Sequence, residues 1–372
     1  MKMKERIMAV LRHEHPDVIP FTVYTSLMPR GAGERELRNM GLCLLDSSVP
    51  TYGMKTPHVK METTEDIAAL SSDDRYAALL RQKHLLHRKY VTPSGTVAEE
   101  YKWGYAVLEW PCEWMIKDLR DYGIVESIIE DTEYFPNHEE FLSTQEVMGD
   151  DGIVFVQTPK SPLQSMLLDL MGYKRFSLDY HLHRHEFEEL YRVFFKKQLE
   201  LYKIVAESPT EVVDLDDNIN GIVTSPRLFE QYCMPFYEEV ATILHKRDKI
   251  LMVHLDGKLK CLRDLIAKTN IDVVEAFTPP PIGDMSLEEA QAAWKGKILW
   301  TNFPATIGLE GGLDNVESAT LAILKSAAPG DDFALGITED IGNIKSVRYE
   351  SILKSIARVV NEQGVYPIAI KN

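Results

Sequence analysis

From residue 151 onward, apolar residues gather in short runs of strand length: Ile153–Val156, Val212–Leu215, Ile250–Val253, Val273–Phe277, Ile298–Trp300 and Phe333–Ile337. Between most of these runs, helical spacing of apolar positions predicts helices over Glu186–Glu207, Pro226–Lys246, Lys258–Lys268, Leu287–Lys295 and Asn315–Ala327. A last helix, Val347–Asn361, follows the final run. Strands alternating with helices predict a parallel sheet covered by helices. The first 150 residues are less regular. Met1–Leu11 reads as a helix and Val18–Tyr24 as a buried strand. Tyr90–Leu108 reads as a hairpin turning at Pro93-Ser94-Gly95, and Lys117–Glu130 and Asn137–Met148 read as helices. Seven strands are visible in this way, and the eighth is left to the region before residue 150. The expected fold is a (β/α)8 TIM barrel with an N-terminal elaboration. No GxGxxG follows a strand, which argues against a doubly wound dinucleotide fold. Without low complexity, short repeat or linker, residues 1–372 read as a single domain, irregular over 1–150 and regular over 151–372.

Composition narrows the partners. The chain is 45% apolar and 26% charged, ordinary for a globular protein, and its formal charge is −16. An acidic surface repels phosphate backbones and anionic lipids, so neither nucleic acid nor membrane is an expected partner. No apolar run approaches the ~20 residues of a membrane span. Ile7–Leu11 is too short for a signal peptide and has no small-residue cleavage site. Cys43, Cys112, Cys233 and Cys261 are scattered, which suggests a reducing cytoplasm and no disulfide framework or all-thiolate zinc site.

In a barrel, chemistry sits at the carboxyl ends of the strands. There the sequence places Gln157-Thr158, Asp216-Asp217-Asn218, His254-Leu255-Asp256, Glu275, Thr301-Asn302 and Thr338-Glu339-Asp340. His254, Asp256, Glu275 and Glu339 come from three strands. One imidazole with two or three carboxylates is a plausible zinc shell with a position open for substrate. The alternative is that His254 is a hydrogen-bonded core histidine and Glu275 a buried ion-pair partner. Asp214 and Asp216 point the same way on a regular strand and are candidate acid/base residues, with Asn218 beside them. Gln157, Asp217 and Asn302 are candidate substrate contacts; helix capping or a lysine partner is the other reading of the aspartates. His181-Leu182-His183-Arg184-His185 looks like a metal tract but precedes an acidic helix start, and reads as a solvated loop. Pro279-Pro280-Pro281 reads as a turn. No GxSxG, P-loop or HExxH occurs.

The run Asn220-Gly221-Ile222-Val223-Thr224-Ser225-Pro226-Arg227-Leu228-Phe229, then Met234-Pro235-Phe236, then Val253-His254-Leu255-Asp256-Gly257, resembles the uroporphyrinogen decarboxylase superfamily. In that family a Gly, Ser-Pro, Phe and Pro segment precedes a strand ending in His-x-Cys-Gly. The resemblance covers 151–360 and, more loosely, the N-terminal region. It implies a (β/α)8 barrel and either a decarboxylase or a corrinoid-linked methyltransferase. The decarboxylase signature MRQAGRY, whose arginine binds substrate carboxylates, is reduced here to Met28-Pro29-Arg30-Gly31-Ala32-Gly33-Glu34, and Arg30 alone carries over as a substrate-binding candidate. Methyltransferase relatives bind zinc through His-x-Cys, a later Glu and a distant Cys. Here His254 and Glu275 match, while Asp256 and Glu339 stand where those relatives have thiolates. Carboxylate-rich zinc is a harder Lewis acid, suited to an ether oxygen. Thr92–Val97 and Trp114–Asp118 resemble segments of the methyl-donor-side proteins of O-demethylase systems. The resemblance thus implies methyl transfer from a small methoxylated aromatic to the Co(I) of a separate corrinoid protein, because no corrinoid-binding DxHxxG motif occurs in the chain. It allows a homodimer. The alternatives are a cofactor-free decarboxylase, a methylcorrinoid:thiol methyltransferase and a non-enzymatic binder of the corrinoid partner.

Overall fold

A computed structural model gives the structure of the chain, described for residues 1–65, 85–103, 109–338 and 346–370. The chain forms two compact units. One comprises Met1–Thr51, Pro136–Pro159 and Val205–Asn372; the other comprises Tyr52–Phe135 and Lys160–Ile204.

The first unit is the barrel, as the strand–helix alternation predicts. Its strands are β1 (Phe21–Tyr24), β2 (Cys43–Asp46), β3 (Gly152–Val154, continued as Val156–Thr158), β4 (Val212–Ile219), β5 (Ile250–Leu255), β6 (Val273–Phe277), β7 (Ile298–Asn302) and β8 (Phe333–Ile337). Every pairing between them is parallel. The two segments of β3 complete the ring: Gly152–Val154 pairs with β2 and Val156–Thr158 with β4. The eighth strand is β2, whose four residues are too few to show a period. The strand expected over Val18–Tyr24 shortens to Phe21–Tyr24, since Pro20 has no N–H to donate. The helix expected over Lys258–Lys268 is two short turns, Lys260–Leu262 and Arg263–Ile266, and the one over Pro226–Lys246 passes through a π turn at Phe229–Cys233.

Strand alternation sends every second residue inward. At the amino ends these residues are apolar. Cys43, Leu45, Ile153, Phe155, Val212, Met252, Val273, Ile298, Trp300 and Ala334 form one buried cluster with Ile7, Met8, Val10 and Leu11 of helix α1 (Met3–Leu11). The helix therefore forms an apolar floor. Higher up, the same inward rows turn polar: Val212 leads to Asp214 and Asp216, Met252 to His254, Val273 to Glu275, Phe155 to Gln157, and Thr22 to Tyr24. Between floor and mouth, the Trp300 indole donates to Thr22 Oγ1 at 2.8 Å. A Cβ on Gly336 would come within 2.6 Å of that oxygen, so the glycine leaves room for this bond.

In the second unit, Lys60–Glu65, Leu85–Thr92, Gly95–Trp103 and Glu109–Glu113 form an antiparallel sheet. The expected hairpin is its central pair; residues 104–108 lie outside the described residues. His181 closes a helix, Gly172–Leu182, rather than lying in a loop, and is exposed as expected. Among the described residues, no helix is long and apolar enough to cross a membrane.

Two buried lysines repeat one device at the amino ends. Lys249, just before β5, donates to the carbonyls of Ser208 at 2.7 Å and Thr210 at 2.5 Å, ahead of β4. Lys297, just before β7, donates to Thr269 at 2.6 Å and Ile271 at 3.0 Å, ahead of β6. Lys297→Met keeps the aliphatic stem but strips two buried carbonyls of their donor. The expected loss is about 1–3 kcal/mol, seen as a lower urea midpoint with an unchanged m value.

Candidate functional site

Register brings the polar positions together. His254 lies opposite Glu275 across β5 and β6, and Gln157 opposite Asp214 across β3 and β4. His254 Nδ1 is 2.6 Å from Glu275 Oε2. The other carboxylate oxygen, Oε1, accepts from the Tyr24 hydroxyl at 3.3 Å. Glu275 is 1% exposed and the His254 side chain 13%. A carboxylate only accepts, so the imidazole proton of this contact sits on Nδ1. The Tyr24 ring stands edge-on to Phe155, with centroids 6.0 Å apart.

Two irregularities aim these side chains. The β6 ladder slips between Glu275 and Phe277, where Ala276 takes a φ of 61°. The β4 ladder slips between Leu215 and Ile219, where Asn218 takes a φ of 50°. Alanine in the left-handed region is strained, by roughly 1–2 kcal/mol. Such strain concentrates at functional sites.

Asp214 is fully buried. Its Oδ2 accepts from Gln157 Nε2 at 3.4 Å, and its Oδ1 has no hydrogen-bond partner among the described residues. Burial, then the charges of Glu275 and Asp216, push its carboxyl well above the usual range, against the opposing pull of His254 and Gln157. Burial and the charges of Glu275, Asp214 and Asp216 likewise raise the Tyr24 phenol. Tyr24, Asp214, Asp216, His254 and Glu275 are thus one electrostatic group, and Asp214 is the carboxyl that it pushes toward its protonated form.

The remaining candidates go elsewhere. Asp217 is buried and accepts a hydrogen bond from Tyr237, on the helix Met234–His245 outside the strands. Asn302 is spent between strand ends: its amide nitrogen donates to Thr278 Oγ1 at 3.2 Å and its oxygen accepts from the Thr338 N–H at 3.1 Å. Asn218 is exposed on the bulge. Arg30 lies 3.7 Å from Glu34 and donates to the Thr25 carbonyl at 3.4 Å, with 73% of its side chain exposed. The Asp256 N–H donates to the Ile219 carbonyl at 3.2 Å. Glu339 lies outside the described residues. Among the described residues, no group of three or more His, Cys, Asp or Glu is disposed to hold a metal ion. Tyr24 was missed because a search for ionisable groups just past each apolar run passes over a tyrosine. Its place two residues after inward-facing Thr22 is the signal that finds it.

Asp214 yields a pH prediction. Its folded pKa lies above the unfolded value near 3.9. The neutral carboxyl therefore costs nothing at low pH, and stability falls as pH rises from about 4 toward the raised value. Asparagine does not titrate. In chelator-treated protein, Asp214→Asn should resist urea better than the parent at pH 7, and the difference should close toward pH 4.

Residues 153–336 match the family model described as Uroporphyrinogen decarboxylase (URO-D). Among solved structures, a methyltransferase from Methanosarcina mazei superposes with a TM-score of 0.59 at 13% identity, over 97% of this chain and 99% of that one. A B12-independent methionine synthase from Shewanella sp. W3-18-1 gives a TM-score of 0.46 at 11% identity, over 93% of this chain and 98% of that one. No curated protein matches the chain. At 13% identity the likeness to the Methanosarcina mazei structure speaks for the fold alone. The family match runs from β3 to β8 and takes in Gln157, Asp214, His254 and Glu275, and by it residues 153–336 belong to the uroporphyrinogen decarboxylase superfamily.

Proposed function

We propose that the protein is a methyltransferase that moves the methyl group of a methyl ether, a methoxylated aromatic, to the Co(I) of a separate corrinoid protein, assisted by a bound zinc. The observation that carries this reading is the charge of the mouth. Asp214, Asp216 and Glu275 act on one another around one imidazole, His254. Two carboxylates about 5 Å apart repel by about 3 kcal/mol at an effective dielectric of 20. Such a mouth repels a polycarboxylate and accepts a neutral ether. A cofactor-free decarboxylase needs cations to hold substrate carboxylates. Arg30, the family's candidate, is exposed and engaged by Glu34.

The donor chemistry fits zinc at its imidazole end. His254 commits Nδ1 to Glu275, as metal-bound histidines commit their second nitrogen to a carboxylate, so Nε2 is the nitrogen a metal would take. We assign Asp256 and Glu339 as the carboxylates that complete the set. When bound, zinc supplies a Lewis acid for the ether oxygen. The chain's own residues handle the proton. As the methyl carbon passes to Co(I), the C–O bond breaks and the oxygen keeps the bonding pair. Asp214 gives that oxygen its proton, and the product leaves as a phenol rather than as an anion among carboxylates. Gln157 holds the Asp214 carboxyl through Oδ2 during the transfer.

Untagged protein should carry about one zinc per chain by elemental analysis, and His254→Ala should lose it. A methoxyarene should be demethylated only when a reduced corrinoid protein is supplied. Asp214→Asn should slow that turnover by about 10²-fold or more. Demethylation by this chain alone, or CO₂ release from a porphyrinogen, would show the reading to be wrong.

A further inference from the structure

We propose that Tyr24 is a positioning residue. It fixes Glu275, and through Glu275 it holds His254 with the proton on Nδ1. Glu275 then acts as the carboxylate that orients the imidazole, rather than as a metal ligand. The inference deepens the proposed function and rests on its reading of His254.

The geometry is a chain of two hydrogen bonds over three strands. Glu275 offers one carboxylate oxygen to each neighbour: Oε2 to His254 Nδ1 at 2.6 Å and Oε1 to the Tyr24 hydroxyl at 3.3 Å. Register alone explains the first contact, since His254 and Glu275 are direct partners across β5 and β6. It does not explain the second. In the ring order, β7 and β8 stand between β6 and β1, so the Tyr24 side chain meets Glu275 across the interior. Phe155 on β3 braces the Tyr24 ring edge-on. The left-handed turn at Ala276 sits next to Glu275 and shifts the ladder just beyond it. Each member is therefore held from outside the chain of bonds, so the phenol can fix the carboxylate and the carboxylate can fix the ring.

The chemistry agrees with the geometry. Glu275 is buried, and an ionised buried carboxylate needs donors on both oxygens. The phenol stays a donor, because its burial and the adjacent Glu275 oppose ionisation. Removing the hydroxyl leaves one oxygen of Glu275 short of a donor. The carboxylate then turns, and the imidazole loses its fixed tautomer. Orienting partners of this kind commonly contribute about 10–100-fold to metal affinity.

Tyr24→Phe keeps the ring and its contact with Phe155. The first measurement uses metal-free protein labelled with ¹⁵N at histidine, with His254 assigned by comparison with His254→Gln. The parent should show a protonated, slowly exchanging Nδ1. Tyr24→Phe should speed that exchange or mix the tautomers. Glu275→Gln, whose amide oxygen still accepts, should keep the Nδ1 proton with a weaker hydrogen-bond signature. The second measurement is competition for zinc against a chromophoric chelator. Tyr24→Phe should weaken zinc binding by about 10-fold or more, and the Nδ1 proton signal should survive zinc loading of the parent. An unchanged His254 spectrum in Tyr24→Phe overturns the inference, and so does loss of the Nδ1 proton on zinc loading, which would place Glu275 on the metal. A parent that takes up no zinc overturns the metal reading of the proposed function, while the metal-free spectra still decide the role of Tyr24.

Discussion

A carboxylate closed inside a barrel is expensive unless both of its oxygens find donors. Glu275 meets that condition with an imidazole on the adjacent strand and a phenol from across the interior. Much else at the mouth follows from it. The imidazole proton is placed on Nδ1, and the phenol is kept neutral. Asp214, fully buried near this charge, is pushed toward its protonated form. A glutamine at 275 would remove the buried charge and ease its push on Tyr24 and Asp214, while its amide oxygen still accepts from His254 Nδ1.

The scaffold makes such a group tolerable by separating the two ends of the barrel. The inward rows begin apolar against helix α1 and end ionisable two to four residues later. Apolar packing at the amino ends keeps water out from below and fixes the strands. Lys249 and Lys297 tie successive amino-end loops through buried ammonium groups. The β4 and β6 ladders slip near the mouth. At the mouth the left-handed residues Asn218 and Ala276 coincide with these slips, whereas at the amino ends Asp248 and Asp332 take the same backbone region in the turns that enter β5 and β8.

The sequence made part of this legible, for physical reasons. Strands β4 to β8 are buried on both faces and show as continuous apolar runs, which is why β-α repetition revealed the barrel. The strand-end rule then found His254, Glu275, Asp214 and Asp216, because alternation carries them inward from visible apolar residues. β2 escaped because four residues carry no readable period. Asp217 falls on the outer face with Val213 and Leu215, where alternation from Asp214 and Asp216 already sends it, and it meets Tyr237 there. Asn302 ends a strand, which marks it as a substrate contact in the sequence; in the structure its amide holds β7 to the residues just beyond β6 and β8. The second reading offered for His254 and Glu275, a buried hydrogen-bonded pair, describes their contact correctly. It does not compete with a metal role for His254, since that contact uses one ring nitrogen.

The acidity of the mouth also constrains how any leaving group can depart. An oxyanion released next to Asp216 and Glu275 gains another like charge at short range, and each such repulsion is worth about 3 kcal/mol at ~5 Å. Chemistry that expels an anion here therefore needs either a cation at the departing oxygen or a proton delivered in the same step. Asp214 is suited to the second task because its neighbours have already raised its pKa: the charges that disfavour an anion are the charges that keep the acid protonated. A carboxylate at Asp214 adds to the negative charge of Asp216 and Glu275, and that charge favours its taking a proton back. The negative charge that the barrel buries thus favours the protonated form of Asp214 both before a proton is given and after, with one imidazole, held by Glu275, as the nearby counterweight.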